Sequence, residues 1–229
     1  MTVVAVDLHS HSRFFHANPG RPMAYDPVGL RTMTLAARRR GLDALAVTNH
    51  DYAYSAETTF PTVPGIEVST TRGHVLIVGS NPPGRTTPGE LTPAETVDLA
   101  HDRDCAAILA HPFRGSTARK SGAAFDAVEI NGKNPEHADR TRRLADRLDL
   151  PLVGGSDAHY PVEVGRAYTA VDLGDDPLTP RSVAAAVRDG RVDPVLRYDR
   201  LQRAIDRAYT AVHEWRGARR TASTPTDAE

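Results

Sequence analysis

Short apolar runs that alternate with helical patterns are the feature that most constrains the fold of this chain. Seven such runs predict β-strands, and their near-continuous apolar character is typical of strands buried on both faces of a sheet. The runs lie at 3–8, 43–48, 62–69, 74–79, 105–110, 125–131 and 151–156. Strands interleaved with helices predict a parallel α/β architecture, either closed as a barrel or open as a sheet.

Helix boundaries between the strands are indicated by capping residues. Asp26 is the expected N-cap of the first helix, with a proline next and Gly41 at its end. Thr92, followed three residues later by Glu95, predicts a capping box at the start of a second helix. A third helix is predicted over 134–149. Its apolar face would comprise Ala138, Leu144, Ala145 and Leu148.

The C-terminal stretch has its own pattern. Residues 197–220 predict an amphipathic helix, with an apolar stripe that includes Leu201 and Trp215 and a locally basic polar face. We interpret it as a helix packed on the main domain, with a dimer surface or an RNA contact as the alternative. These patterns predict one domain over 1–215 and a disordered tail over 216–229.

Composition limits the classes of function. The chain has 229 residues, 40% hydrophobic and 25% charged, which suits one soluble domain with a core. Its net charge of −1 gives no overall attraction to nucleic acid or membrane. No run approaches the roughly 18 apolar residues of a membrane span, and no basic-then-apolar signal segment is seen, so we expect a cytoplasmic location. The single cysteine, Cys105, is expected to be a small buried hydrophobe.

Histidines and carboxylates recur where the predicted strands end, and in parallel α/β proteins functional residues gather at those ends. The strand-end residues are His9, His11, His50, Glu67, His111, Asp157 and His159. Residues two apart on a strand point to the same side, so His9 and His11 would reach one point. His74 is the exception, because it lies at the start of its predicted strand.

Imidazole and carboxylate together suit zinc, manganese or iron, and the number of candidate ligands exceeds what one ion takes. More than one metal ion is therefore expected. A single histidine at a strand end or on a helix usually has only a structural role. His101, His137 and His213 lie in charged helical segments and are expected to face solvent.

Five stretches of the chain, taken in order, carry a family resemblance. DLHSHS, GLDALAVTNHD, PGIEVSTTRGH, AHPFR and GGSDAH resemble the five motifs of the polymerase and histidinol phosphatase (PHP) superfamily. The similarity spans residues 5 to about 170, and VEINGKN and GSDAHYPVEVGRAYTAV resemble the short stand-alone members. The resemblance implies a distorted seven-stranded (β/α)7 TIM-like barrel with two or three divalent metal ions (Zn, Mn or Fe) that hydrolyses phosphate esters.

The resemblance also implies a ligand set, carried over motif by motif. One metal would be held by His9, His11, Glu67 and Asp157. A second would share Glu67 as a bridging ligand and add His111 and His74. A third would be held by His16, His50 and His159. In the competing interpretation, His16 or His159 is a general acid that protonates the leaving oxygen without metal.

Catalysis would rest on a hydroxide generated at the metals, since bound metal lowers the pKa of water towards ~7. Asp157 and His159 are the expected catalytic residues among the ligands. Arg13 and Arg114 lie beside ligand motifs and would contact phosphate oxygens, with Lys133 as a weaker candidate. The alternative for each of these cations is an ordinary surface position.

Some features depart from the family pattern. Relatives commonly have aspartate where this chain has Asn49, which is therefore expected outside the set of direct ligands. About forty residues separate Glu67 from His111, too few for the small extra domain of some larger relatives. Loops 17–26, 52–61, 80–90 and 114–124 would therefore shape the pocket. The glycines of VGGSDAH would let the backbone pass close to the metals.

Two classes of function follow. The first is a hydrolase acting on a phosphate ester of a small metabolite or nucleotide, or alternatively a nuclease acting on nucleic-acid ends. The near-zero net charge favours the small substrate. The second is a non-catalytic scaffold or RNA-binding subunit, which the intact ligand set disfavours. The oligomeric state stays open.

Overall fold

All seven predicted strands are present in the computed structural model, which describes residues 2–13 and 21–197. In chain order they are β1 (Val3–Asp7), β2 (Ala44–Val47), β3 (Thr62–Thr70), β4 (Gly73–Val78), β5 (Ala106–Leu109), β6 (Ala127–Asn131) and β7 (Leu152–Gly155). Two strands that were not predicted follow them. These are β8 (Ala167–Asp172) and β9 (Val192–Leu196).

In the described residues the nine strands form one nearly closed, barrel-shaped sheet, in the order β7-β6-β5-β4-β3-β2-β1-β8-β9. The expected count of seven is therefore exceeded. The expectation of a parallel sheet is also wrong in part, since β4 is antiparallel to β3 and β5, and β8 to β1 and β9. Only Thr71 and Arg72 separate β3 from β4, which is far too short for the crossover that parallel strands require.

This antiparallel hairpin explains the position of His74. His74 is the second residue of β4 and pairs with Ser69 near the end of β3. The start of β4 therefore lies at the same edge of the sheet as the C-terminal end of β3. A histidine that begins its strand thus shares that edge with the residues that end the parallel strands.

Four α-helices lie in the described part of the chain. They are α1 (Asp26–Arg39), α2 (Pro93–His101), α3 (Ala138–Leu148) and α4 (Pro180–Arg188). The capping box of α2 is confirmed, because Glu95 N donates to Thr92 Oγ1 and Thr92 N donates to the Glu95 carboxylate. A similar box, Thr179 with Ser182, starts the unpredicted α4.

Two expectations about the helices need correction. The N-cap of α1 is Tyr25, which makes no side-chain cap. The Asp26 carboxylate instead accepts from Met23 N at 2.6 Å and from the hydroxyls of Ser12 and Tyr52. On α3, Leu148 is 40% exposed and lies outside the buried face. Cys105 is buried, as predicted.

Glycine and α4 shape the closed parts of the barrel. A Cβ on Gly154 would lie 2.3 Å from the Tyr168 carbonyl oxygen, so only glycine lets β7 approach β8 here. The Thr169 hydroxyl also donates to the Gly154 carbonyl at 2.9 Å.

Helix α4 contacts β3, β5 and β8, which are not neighbours, so it lies across one opening of the barrel. Its Val183 and Val187 join the buried cluster of strand residues.

A second apolar cluster packs α2 and α3 against the outside of the sheet, through residues such as Val97, Leu144 and Ala145. None of the helices in residues 2–13 and 21–197 has the length and apolar character needed to cross a membrane. The predicted C-terminal helix and tail cover 197–229. All of these residues except Arg197 lie outside the described residues, and so does His213 of that helix. The proposed domain limits at 215 and 216 therefore stay predictions.

Candidate metal centre

The edge of the barrel where the parallel strands end carries a dense group of histidines and carboxylates. Eight of the nine predicted ligands lie in the described residues: His9, His11, His50, Glu67, His74, His111, Asp157 and His159. His50 and His74 are half-buried, and the other six are buried. The ninth, His16, lies outside the described residues.

The backbone at two of these positions is left-handed. His111 directly follows the residue after β5 with φ 24°, and Asp157 lies two residues after β7 with φ 54°. A non-glycine residue in this region costs about 1–3 kcal/mol and is held there by its surroundings. Both side chains are therefore placed by turns that the fold enforces at the strand ends.

Glu67 is at the centre of the group. Its Oε1 lies 2.7 Å from His74 Nδ1 and 2.9 Å from His111 Nε2. Its Oε2 lies 3.2 Å from a nitrogen of both His9 and His50, and 3.3 Å from His11 Nε2. Burial raises the pKa of Glu67, but His50, His9 and His74 outweigh it and hold the pKa well below the ordinary value. Glu67 is therefore a carboxylate placed to be shared.

Asp157 occupies the other side of the group. Its Oδ1 lies 3.4 Å from His11 Nε2 and 3.4 Å from His159 Nδ1. Its Oδ2 accepts from Arg114 Nη1 at 2.5 Å, and Lys133 Nζ lies 3.5 Å from Oδ1. Burial raises the pKa of Asp157, but His9 and the nearby cations hold it well below its usual range.

These side chains fit divalent metal ions. Four triads have donor atoms within 4.8 Å of one another: His9–His11–Asp157, His9–Glu67–His111, His50–Glu67–His74 and His11–His50–His159. Asp157 Oδ1 is buried and has no hydrogen-bond partner among the described residues, as expected for an oxygen that faces a cation. Imidazole and carboxylate donors suit zinc, manganese or iron.

The ionisation of His50 and His159 agrees with this role. Burial lowers the pKa of His50 to about 3, and burial together with His11 lowers the pKa of His159. Both rings are therefore neutral near pH 7 and have a lone pair for a ligand bond. Burial also lowers the pKa of His9, but Glu129, Glu67 and Asp157 outweigh it and raise the pKa well above the ordinary value.

Glu129 on β6 is a site residue that the sequence interpretation missed. Its Oε1 lies 2.7 Å from His9 Nδ1, and its Oε2 accepts from His111 N at 2.8 Å. It is fully buried. A carboxylate on the outer nitrogen of a histidine fixes the ring and leaves the inner nitrogen for metal. The signal in the sequence is a single acid inside the apolar run AVEIN.

Asp7 and Gly155 support the same region. The buried Asp7 carboxylate accepts from Ser156 N and Gly165 N, both at 2.9 Å. Burial raises its pKa to about 6. A Cβ on Gly155 would lie 2.3 Å from Glu129 Oε1 and 2.5 Å from His9 Cβ. The absence of a side chain at Gly154 therefore leaves room for β8, and its absence at Gly155 leaves room for the His9–Glu129 pair.

The predicted phosphate-binding cations have different surroundings. Arg114 and Lys133 contact Asp157, and Lys133 Nζ also lies 2.7 Å from His159 Nδ1. Arg13 instead lies over the Tyr52 ring at 5.1 Å and donates to the Arg21 carbonyl at 2.6 Å. The structure thus brings two of the three cations to the ligand group.

The predicted third metal site is only partly described. The structure brings His50 and His159 together with His11, whose ring centroid lies 4.1 Å from that of His159 and 4.8 Å from that of His50. The contribution of His16 stays a prediction. His101 and His137 do not simply face solvent. His101 is half-buried with Nε2 3.0 Å from both Asp126 oxygens, and His137 is half-buried beside Phe113.

Asn49 lies in a network outside the ligand group. Its Oδ1 accepts from Ser12 N at 2.9 Å, and its Nδ2 donates to Ser12 Oγ at 2.8 Å. The Ser12 hydroxyl in turn donates to buried Asp26, which also accepts from Tyr52 OH at 3.0 Å. Because the serine proton goes to Asp26, position 49 must supply a donor. An amide provides it, whereas a carboxylate would not.

Comparison with known proteins places this geometry in context. The family model described as PHP-associated matches residues 135–192. No curated protein sequence matches the chain significantly. PsfC from Pseudomonas syringae has a similar structure, with a TM-score of 0.69 at 21% identity over 94% of this chain and 100% of that one.

Two larger proteins share the fold. A two-domain protein from Bacteroides vulgatus containing a predicted PHP-like metal-dependent phosphoesterase gives a TM-score of 0.57 at 18% identity, over 85% of this chain and 65% of its own. Endonuclease Q, in complex with a duplex carrying an abasic lesion at the active site, gives 0.56 at 19% identity, over 82% of this chain and 57% of its own. At these identities the similarity shows a shared fold.

Proposed function

We propose that the chain is a member of the PHP superfamily and a metal-dependent hydrolase of phosphate esters, supported by the five motifs and by the family-model match over residues 135–192. The observation that supports this most directly is Glu67, whose two oxygens lie within 3.3 Å of nitrogens of five histidines in the described residues. One carboxylate among so many imidazoles has the donor chemistry of a bridged metal centre.

The donors would form three sets, two of which share Glu67. His9, His11 and Asp157 would complete one metal site, and His111 and His74 the other. His50 and His159, with His16, would hold a third ion. When bound, the metals would neutralise phosphate oxygens and lower the pKa of water towards ~7.

Arg114 and Lys133 would orient the substrate. Both lie against Asp157, with side chains that are partly exposed (36% and 22%), so they line the open side of the ligand group. A guanidinium matches two oxygens of a phosphate at once, and an ammonium adds a point charge. We propose that these two cations contact the phosphate oxygens. Arg13 would instead stabilise its own loop through its contacts with the Tyr52 ring and the Arg21 carbonyl.

The proposed substrate is a phosphate ester of a small metabolite or nucleotide. The net charge of −1 supports it, because binding long nucleic acid usually relies on many basic contacts. A nuclease is the second candidate, favoured by the fold shared with endonuclease Q. The full set of donors argues against a non-catalytic scaffold.

One experiment tests the class and the substrate together. The purified protein is stripped with a chelator, reloaded with zinc, manganese or iron, and assayed with an aryl phosphate, an aryl phosphodiester, phosphorylated metabolites and an abasic-site duplex. We expect hydrolysis of a small ester only after reloading. Full activity of the stripped protein would contradict metal dependence, and cleavage of the duplex alone would favour the nuclease.

A further inference from the structure

A small cavity has His111 in its lining. His111 Nε2 lies 2.9 Å from Glu67 Oε1, which leaves Nδ1 on the other edge of the ring. The cavity has a volume of about 10 Å³. That is close to the smallest space that holds one water molecule. Its polar lining comes from His111, Glu129, Asn131, Asn134, His137 and Thr141.

Two buried polar atoms of this lining lack a hydrogen-bond partner among the described residues. They are Nδ1 of His111, a residue that is 4% exposed, and Oδ1 of Asn134. The Asn134 amide nitrogen is already used, because it donates to Glu136 Oε1 at 3.2 Å. The two atoms are complementary, since an imidazole nitrogen can donate and an amide oxygen can only accept.

Metal binding determines which nitrogen of His111 carries the proton. A metal on Nε2 takes the lone pair of that nitrogen, so the proton must be on Nδ1. A buried N–H without an acceptor is unfavourable. A water molecule in the cavity would accept from this N–H and donate to Asn134 Oδ1. Its second proton would reach Thr141 Oγ1, which donates to the His137 carbonyl at 3.1 Å and keeps lone pairs to accept.

We infer that one buried water molecule, held by Asn134 and Thr141, accepts the Nδ1 proton of His111 and fixes the tautomer that binds metal. Asn134 is then a positioning residue for the metal that His111 shares with Glu67. The inference rests on the proposed function only in requiring that His111 binds metal through Nε2. It gives His111 the outer partner that Glu129 gives to His9.

The test compares the metal affinity of three variants with that of the whole wild-type chain, using zinc and a competing chromophoric chelator. Asn134→Ala should weaken the binding of one zinc ion by about 10- to 100-fold. Asn134→Asp keeps an oxygen acceptor at the cavity and should retain the affinity. Glu136→Ala removes the other partner of Asn134 without touching the cavity and should also bind zinc normally.

Two direct measurements separate positioning from a general structural effect. In all three zinc-loaded proteins the proton of His111 should be on Nδ1, but side-chain ¹⁵N spectra should show it protected from solvent exchange in the wild type and in Asn134→Asp, and unprotected in Asn134→Ala. A high-resolution crystal structure should show one water within hydrogen-bond distance of His111 Nδ1 and Asn134 Oδ1. Normal zinc affinity in Asn134→Ala, or a dry cavity, would overturn the inference. Zinc binding without ester hydrolysis would instead refute the proposed function. The zinc affinities of the three variants would still test the inference about Asn134.

Discussion

Glu67 and Asp157 are both fully buried carboxylates on the same edge of the barrel, yet their surroundings differ. In the described residues every ion-pair partner of Glu67 is a histidine. Asp157 has histidines on one side, and Arg114 and Lys133 on the other. The same chemical group is therefore surrounded by ligands in one region, and lies between ligands and cations in the other.

This difference indicates how the work is divided across the site. A carboxylate among imidazoles alone can do little but hold metal. A carboxylate that also pairs with partly exposed cations, as Asp157 does, would lie between the proposed metals and the proposed phosphate. Removing Glu67 should therefore cost metal, whereas changes around Asp157 should affect substrate binding with the metals in place.

The largest effect is expected for Glu67→Gln. The amide has one oxygen in place of two equivalent ones, so it cannot serve both metals, and activity should fall roughly 1000-fold or more. Elemental analysis should show a greater loss of bound metal than in His74→Ala, which removes one ligand of one metal. Equal losses in the two variants would show that Glu67 does not bridge.

Arg114→Ala is expected to act on the substrate side only. Loss of a charged donor to the reacting phosphate should lower kcat/KM by roughly 100-fold. The metal content should stay that of the wild type. Arg114→Lys should recover only part of the activity, because an ammonium cannot bind two oxygens in one plane.

The control for this comparison is Arg142→Ala. Arg142 is an exposed arginine of α3 that pairs with Asp139 at 2.9 Å, away from the ligand group. It should have wild-type kinetics. Loss of metal in Arg114→Ala would mean that the guanidinium orients Asp157 as a ligand, and the proposed division would be wrong.

The strands of the sheet were not equally predictable from the sequence. β1 to β7 are continuous apolar runs, and the ligands at their ends follow from the motif resemblance. β8 was missed because Thr169 and Asp172 interrupt its apolar residues, so the segment is not a continuous apolar run in the sequence. It is antiparallel to β1 and, together with β9, extends the sheet beyond seven strands.

Residues that act behind the ligands were the least predictable. Glu129 lies 120 positions from His9 in the sequence, and the two side chains meet where Gly155, at the end of β7, has no side chain to displace them. Asp7 is similarly hidden as the last residue of an apolar strand. A lone carboxylate inside such a run indicates a buried partner, but the partner is known only once the barrel has closed.

Glu129→Gln sharpens the comparison from behind the metals. Both Glu129 oxygens accept hydrogen bonds, one from the His9 ring and one from His111 N, and an amide would turn a donor towards one of them. Metal affinity should fall by about 10- to 100-fold. Competition with a chelator measures this.

The matched control is Asp126→Asn, because Asp126 also bonds a histidine ring, His101, and a backbone amide, Ala107 N at 2.7 Å. Neither partner is a predicted ligand. Its substitution should leave metal affinity unchanged. If both variants bind metal equally well, the Glu129–His9 contact has no role at the metal centre.

Asp7→Asn should have the smallest effect on hydrolysis, since Asp7 contacts neither the donor atoms nor the cations, and it should be visible instead in stability. Burial raises the pKa of Asp7 from 3.8 to about 6, so ionisation of this group opposes folding. The wild type should therefore lose stability as the pH rises from about 4 to about 6, by about 3 kcal/mol from this group. The variant does not titrate here, but its amide N–H₂ faces a backbone N–H at Ser156 or Gly165, which lowers its stability at every pH.

Urea unfolding of the metal-free proteins measures this. The free energy of unfolding of the variant should be well below that of the wild type at pH 4, and the difference should be about 3 kcal/mol smaller at pH 7. A stability difference that does not change with pH would show that Asp7 is ionised throughout, as Asp157 is.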